Sequence, residues 1–468
     1  MPQRLVMSCD GTWNAPDQAI AGKPCPTNIT KLALSMASED CAGACQCAYH
    51  HPGVVTSRGE RLGGGASGFG PSRNVFDAYR FLIDNYEDGD ELYFFGFSRD
   101  VFTARSLAGL VRNCGILRRE NADRIDEAWS LYRSSAGQPS GVASTLFRRA
   151  YSYEPRIHFL GMWDTVGTRG IPALGSRWLQ PIAKWLNHRS ESHDAKLSTW
   201  VDGAFRALAI DEQRAVLEPT LRHQQPGAED QEPKQELKQV WFPRVHCDVG
   251  GGYPDTSLSG MPLLWMAERT PDYGLEFVPG AFSSHGPARM IAGESIDFQV
   301  APQPTAKPHR SWGKVYRLFK PVDRPIGAVA SEDSHFDGLE YLSTTAQSRH
   351  DEDPYRPSGV GDYLATPDNV HLEPTPEKPG RPGTPSAPSA ADTPPRSIEA
   401  SRHVRLTQNK GVSTCLLHKL RQARPSHPRR NGPQGETGPR RRSGTGGKSS
   451  KLEPRIEQIS PLPLSSWR

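Results

Sequence analysis

A chain of 468 residues, 36% hydrophobic and with a net charge of +4, is longer than one typical domain, yet an α/β domain with a large sheet can use most of that length as a single core. One large domain plus a tail is therefore expected. Eight cysteines without a regular framework argue against a disulfide scaffold and suit reduced thiols in a cytoplasmic protein, and no apolar run approaches the length of a membrane span.

The start, MPQRLVMSCDGTWN, carries no long apolar region of the kind that opens a signal peptide, so a protein made in soluble form is expected. Arg4 to Cys9 reads as a first strand that ends in Asp10-Gly11-Thr12-Trp13-Asn14. A polar, glycine-containing loop at the carboxyl end of a strand is where α/β sheets place ligand-binding groups. An ordinary turn with an aspartate cap accounts for the same residues equally well. Thr27 to Ala37 has a helix-start signal and apolar spacing, and Cys45 to Val54 looks like a second strand. The cysteines and histidines of CAGACQCAYHH are potential metal ligands, but Cys45, Cys47 and Tyr49 share one strand face while His50 lies on the other. No metal is expected. Gly59 to Gly70 is too glycine-rich for regular structure and lacks the Lys-Ser/Thr ending of a phosphate-binding loop. Asn74 to Asn85 is amphipathic and helical, with Val75, Ala78, Tyr79 and Leu82 on one side.

The run Leu92, Tyr93, Phe94, Phe95 then ends at Gly96, and after Ser98 the spacing turns helical through Val101, Ala104, Leu107, Ala108 and Val111. A buried strand thus turns sharply into a helix. Gly96-Phe97-Ser98-Arg99-Asp100 sits on that turn, where a nucleophile elbow lifts a serine hydroxyl above the sheet and close to the positive end of the helix dipole. Ser98 is the candidate nucleophile. The usual elbow reads G-x-S-x-G, and here Asp100 takes the second glycine position, adding bulk and negative charge beside a developing oxyanion.

Ile157 to Trp163 is a further buried strand ending at Asp164. A carboxylate at the carboxyl end of a strand, downstream of an elbow serine, is where this fold class puts the acid that orients a catalytic histidine; capping of the next turn is the local alternative. Val240 to Val245 is a last strand, and it leads into His246-Cys247-Asp248 and the glycines Gly250, Gly251 and Gly252. His246 completes the chain order serine, acid, histidine, whereas His158 lies in a strand and His193 and His223 sit in polar surroundings. Ile171 to Asn187 is helical in spacing, broken by Pro181, with Trp178 and Trp185 near one face. Packing as a cap over the crevice is the commoner explanation of such a face, contact with lipid headgroups the other.

Four segments, GFSRDVFTARSLAGLVRNCGIL, FLGMWDTVGTRGIP, VWFPRVHCDVGGGYPD and CDGTWN, together with FRALAIDEQRAVLEPT, resemble the bacterial and fungal α/β-hydrolase domain family of formerly unknown function that includes the type VI secretion phospholipase effectors of family one. The resemblance covers about residues 4 to 345. It implies a mostly parallel central sheet flanked by helices, and Ser98 as nucleophile, Asp164 as acid and His246 as base. It also puts Asp10-Gly11-Thr12 beside the oxyanion site, which the backbone N–H of Arg99 would share. Two positions depart from the family pattern: Asp100 replaces a glycine, and Arg244 replaces another small residue. The implied activity is hydrolysis of carboxylic esters, of phospholipids above all, through an acyl-enzyme and with no cofactor. A catalytically impaired relative acting as a binding protein is the alternative that Asp100 raises. The implied partners are a lipid ester substrate, a transiently touched membrane surface, and a secretion apparatus or immunity protein. The implied location is the cytoplasm of the producing cell, with delivery by a secretion system that needs no signal peptide.

From about Ala346 proline, glycine, serine and arginine dominate, a composition that cannot bury enough apolar surface to order itself. The expected organisation is a catalytic domain over residues 1–345 and a disordered basic tail over 346–468. Residues 371–468 carry 18 Lys and Arg against 7 Asp and Glu, so a tail of positive charge is tethered to an acidic core. Such a tail suits phosphate-rich surfaces, but without interleaved aromatics it gives no sign of specific nucleic-acid recognition.

Overall fold

In the computed structural model, Leu5 and Met7 of strand β1 (Arg4–Cys9) lie in one apolar cluster and Val6 in another, and all three are fully buried. Successive side chains of a strand point to opposite faces, so a strand buried on both faces needs a layer on each side. The described residues are 2–10, 19–20, 23–51, 69–98, 101–134, 138–165, 197–214, 217–219, 221–225, 227, 234–283, 289–291, 294–296, 298, 300–307, 309, 321–327, 340–352, 355–365 and 370–376.

The other strands of the main sheet are β2 (Gln46–His51), β3 (Glu91–Phe97), β4 (Ile157–Trp163), β5 (Val201–Ala209), β6 (Glu236–Phe242), β7 (Glu340–Ser343) and β8 (Leu372–Glu373). They form one eight-stranded sheet in the order β8-β7-β6-β5-β4-β3-β1-β2, and every pairing is parallel. Parallel neighbours need crossovers, and helices supply them: α1 (Asn28–Ser35), α2 (Phe69–Asn85) and α3 (Val101–Cys114) join the first strands, with α4 (Ile125–Arg133) and α5 (Val142–Tyr151) before β4. Helices α2 and α3 bury Val75, Leu82 and Leu107 with Leu92 and Phe94 of β3 on one face. On the other face α1 and α7 (Gly260–Arg269), the helix after α6 (His246–Gly250), bury Ile29, Leu32 and Trp265 with Tyr93, Phe95 and Phe97. Alternation along β3 thus sorts the two cores, and the fold is the three-layer α/β arrangement expected of the sequence.

Chain direction across the sheet reverses beside β1. The chain passes from β1 outward to β2, then returns over β1 to β3 and continues toward β8. In such sheets the crevice outside the carboxyl ends of the strands at this reversal is where ligands bind. Register brings those ends level: Cys9 pairs with Gly96, Phe97 with Trp163, Trp163 with Ala207, and Ala209 with Phe242. The residues that follow these ends, Asp10, Ser98, Asp164 and the α6 segment, leave the sheet on one rim.

Ordered structure continues past the boundary expected between residues 345 and 346, which corrects the extent of the tail. Helix α8 (Thr344–Glu352) runs across that point, and α9 (Ser358–Leu364) and strand β8 lie beyond it. Ala346, Val360 and Tyr363 are buried in a third apolar cluster with Leu208, Trp241 and Leu342. Glu373 of β8 accepts from Trp265 Nε1 at 3.0 Å and Lys238 Nζ at 3.0 Å, and also pairs with Arg269. A few well-placed apolar and charged residues order this stretch despite its composition. The expected helix over Ile171 to Asn187 and the glycine-rich stretch Gly59 to Gly70 fall outside the described residues, apart from the first turn of α2.

Candidate active site

Ser98 follows the last residue of β3 and has φ 61°, in the left-handed region that favours glycine. Ser98 stands between the end of β3 at Phe97 and helix α3, which begins at Val101, and a non-glycine residue in that region is strained. Gly96, two residues before Ser98, pairs with Cys9 on one side and Met162 on the other. Arg99, Asp100, Gly11 and Thr12 lie outside the described residues.

Asp164 follows the last residue of β4, also with a positive φ, 35°, and is fully buried. Its Oδ1 accepts from Ala209 N at 2.9 Å on the neighbouring strand, and its Oδ2 lies 2.6 Å from His246 Nδ1. His246 opens α6, 5% exposed, and its Nε2 lies 2.8 Å from Ser98 Oγ. One imidazole therefore bridges the serine hydroxyl and the buried carboxylate. The ring is held from the side by Phe97, stacked at 4.7 Å between centroids. That stacking needs glycine at position 250, where any Cβ would collide with the Phe97 ring.

The α6 segment is tied to the far side of the crevice as well. Asn28 Nδ2 donates to the carbonyls of Val249 and Ser259, each at 2.9 Å, and a Cβ on Gly251 would stand 2.7 Å from Asn28 N. Thr27 caps α1, and both Thr27 and Thr30 donate their hydroxyls to Asp10 Oδ2 at 2.7 Å. The Asp10 side chain is thus engaged in fixing α1, the capping role that competed with a ligand role in the sequence. Its backbone N–H donates to the carbonyl of His51 at 3.0 Å.

Charged residues surround the imidazole. Burial works against the charge of Asp164, but the guanidinium of Arg324 and then the hydrogen bond from His246 outweigh it, so its carboxyl is held below the ordinary carboxylate range. Glu212, just beyond β5, accepts from His246 N at 3.3 Å and pairs with Arg214 at 2.7 Å; burial opposes its charge, and Arg214 brings its carboxyl net below the usual value. Asp248 on α6 lies 2.6 Å from His309 Nδ1, and His309 stacks on Tyr253 at 4.2 Å. Burial raises the Asp248 carboxyl against the pull of His309. Arg244, two residues before His246, has φ 87°, which gives a conformational reason for a small residue at that place. Here its N–H donates to Asp211 Oδ2 at 2.9 Å and its guanidinium lies over the Tyr355 ring at 4.5 Å.

Sequence reasoning missed Arg324, Glu212 and the Asp248–His309 pair. Glu212 had a signal: it lies in the polar run Asp211-Glu212-Gln213-Arg214 directly after the apolar end of a buried strand. Arg324 had none, since it meets Asp164 across 160 residues.

A mostly parallel sheet with a serine, an imidazole and a carboxylate linked at the carboxyl ends of its strands has the arrangement of the α/β-hydrolase class. Residues 3–269 match the sequence profile of the T6SS phospholipase effector Tle1-like catalytic domain, and the chain belongs to that family. It is 32% identical over 169 residues to the uncharacterized protein YEL023C of Saccharomyces cerevisiae, a stretch of 31% of this chain and 24% of the yeast protein. The chain therefore spans about a quarter of that relative's length. Solved structures with some likeness are an uncharacterized protein from Pseudomonas aeruginosa, at 17% identity and a TM-score of 0.31 over 59% of this chain and 46% of that one, and the Tle1 effector bound to the VgrG spike of the type 6 secretion system, at 18% and 0.28 over 54% and 51%. Among the described residues no helix is long and apolar enough to cross a membrane.

Proposed function

We propose that this chain is a serine hydrolase that cleaves carboxylic esters of phospholipids, with Ser98 as nucleophile, His246 as base and Asp164 as the acid that orients it. The observation that carries this reading is the pair of contacts through one imidazole, 2.8 Å to Ser98 Oγ and 2.6 Å to Asp164 Oδ2, within hydrogen-bond reach of both partners as nucleophilic catalysis requires. His246 Nε2 takes the Ser98 proton as Oγ bonds to the ester carbonyl carbon. The carbonyl oxygen becomes an oxyanion, for which we assign the backbone N–H of Arg99 and the Asp10-Gly11-Thr12 loop as donors. Collapse expels the alcohol, which leaves with the proton from His246, and water then releases the fatty acid from the acyl-enzyme by the same steps in reverse order. Asp164, charged at neutral pH, keeps Nδ1 protonated so that Nε2 is free to act as base.

Family membership supports lipid as the substrate class, and it supports a role as a type VI secretion effector delivered from the cytoplasm of the producing cell, with a secretion-apparatus or immunity protein as partner. The basic segment beyond residue 376 is proposed to meet anionic membrane surfaces. The test is lipid-ester hydrolysis by wild type against Ser98→Ala, Asp164→Asn and His246→Ala. Each variant is expected to lose activity by at least about a thousandfold while staying folded. Wild-type turnover by a folded Ser98→Ala protein would refute the assignment.

A further inference from the structure

We propose that Arg324 is a positioning residue for this hydrolysis, one that fixes Asp164 and, through it, the imidazole that reaches Ser98. The inference rests on the serine-hydrolase reading above.

Arg324 is 3% exposed. Its Nη1 donates to Asp164 Oδ1 at 2.6 Å and its Nη2 to Asp164 Oδ2 at 3.1 Å, a two-pronged grip on the carboxylate. The remaining donors of the same nitrogens go to backbone carbonyls, Ala209 O at 2.6 Å and Leu217 O. The guanidinium is thereby locked to the end of β5 and cannot follow the carboxylate if it turns. Its own segment is fastened alongside, with Val322 N donating to Gln213 O at 3.0 Å and Gln213 Nε2 to Asp323 Oδ1 at 3.0 Å. Oδ2 of Asp164 thus receives His246 and Arg324 together, and Oδ1 receives Ala209 N and Arg324.

The arrangement has a chemical consequence beyond rigidity. With His246 neutral, a fully buried Asp164 carboxylate would lack a counter-charge, and Arg324 supplies it. When His246 takes the serine proton, the imidazolium shares that carboxylate with a cation already in place. Arg324 holds the Asp164 carboxyl below its ordinary range, and without it burial would carry that carboxyl upward and bring the acid limb of the pH profile to higher pH. Arg206 on β5 acts on both Asp164 and Arg324 and is itself in the field of Arg105 on α3 and Glu340 on β7; the Glu212–Arg214 pair meets His246 N, and Asp248 of α6 pairs with His309. They are the same in every variant below, so a displaced pH profile reports on Arg324.

The experiment measures kcat and KM for a short-chain ester, and the rate at which a fluorophosphonate labels Ser98, both across pH. The proteins are wild type, Arg324→Lys, Arg324→Gln, Asp164→Asn, and Asp164→Asn with Arg324→Gln. In Arg324→Gln, kcat and the labelling rate are expected to fall by about tenfold to a hundredfold, with KM little changed and the acid limb moved to higher pH. Arg324→Lys should recover most of the rate. In the Asp164→Asn background, Arg324→Gln should cost nothing further, because its effect runs through the carboxylate. A folded Arg324→Gln protein with wild-type rate and an unmoved acid limb would overturn the inference, and so would an additive loss in the double variant. If Arg324→Gln alone does not fold, the double variant, which removes both buried charges together, is compared with Asp164→Asn: equal rates support the inference, and a further loss overturns it. Labelling needs no lipid, so a wild type that labels at Ser98 but hydrolyses no ester refutes the substrate and leaves Arg324 readable; a wild type that does not label refutes both.

Discussion

The body of the sheet and its carboxyl rim are built on opposite principles. In the body, Phe94, Phe95, Phe159, Phe205 and Trp241 are buried to 1% exposure or less, and Phe159 stacks on Phe205 at 4.9 Å. At the rim, Ser98, Asp164 and Arg244 are the non-glycine residues with positive φ among those described, each one or two positions past the end of a strand. A residue held in that region costs on the order of 1 to 3 kcal/mol. The rim also buries Asp164, Glu212 and Arg324 around the imidazole of His246, and those three charges persist only through their partners. Strain and buried charge gather where chemistry is proposed, and a close-packed apolar body holds them in place.

Removing the body's edge should have the largest effect. Truncation after residue 345 deletes β8 and the Glu373 contacts to Trp265, Lys238 and Arg269, together with Tyr355, whose hydroxyl donates to Asp211 at 2.8 Å. Cooperative unfolding is expected to be lost, whereas truncation after residue 376 should leave the thermal midpoint within about 2 °C of wild type. Calorimetry on the two truncations tells them apart, and equal midpoints would break the comparison. Phe159→Ala comes next, lowering stability by about 3 to 5 kcal/mol in denaturant titration while leaving the labelling of Ser98 intact in the folded fraction.

Lys31 is the exception that sharpens the contrast, a fully buried side chain of α1 whose Nζ has no hydrogen-bond partner among the described residues. Burial lowers its ammonium from 10.5 to about 8. The unfolded chain binds this proton more tightly, so protonation costs the folded state below about pH 8, and the cost fades as pH rises toward 10.5. Lys31→Met is thus expected to raise stability at pH 7 by about 3 kcal/mol, with the gain shrinking above about pH 8 and gone near 10.5. A gain that does not change with pH would mean that packing, not charge, sets the effect.

Two smaller effects concern the rim. A carboxylate two positions after the proposed nucleophile opposes a developing oxyanion, so Asp100→Gly is expected to raise kcat/KM on an ester. An unchanged or lower value with stability preserved would show that Asp100 is tolerated. Ser98→Gly relieves the left-handed backbone at φ 61° and is expected to stabilise by about 1 kcal/mol relative to Ser98→Ala, measured as a shift in denaturant midpoint. Equal midpoints would mean that the backbone at Ser98 carries no strain.

What could be read in the sequence was local. The end of β3 at the elbow, Asp164 one residue past β4, and His246 before three glycines each announce themselves by a change of period or by glycine punctuation. The family motifs tied them into one site. Strand β5, central and buried along its whole length, was hidden by Asp202 and Arg206. Both charges are tolerated because Arg156 pairs with Asp202 and Gln239 accepts from Arg206 at 2.8 Å. Helices α8 and α9 and strand β8 were hidden by proline-rich surroundings, since one glutamate and two tyrosines give no periodicity. Arg324 was hidden by distance, because its partner is fixed by the fold and not by spacing.

The most direct test of the central claim is rapid-quench mass spectrometry of wild type mixed with an activated fatty-acyl ester. An acyl adduct on the peptide carrying Ser98, formed in the first turnover and absent from both Ser98→Ala and His246→Ala, is the predicted result. An adduct on another residue, or ester turnover without any covalent intermediate and with Ser98→Ala as active as wild type, would contradict it.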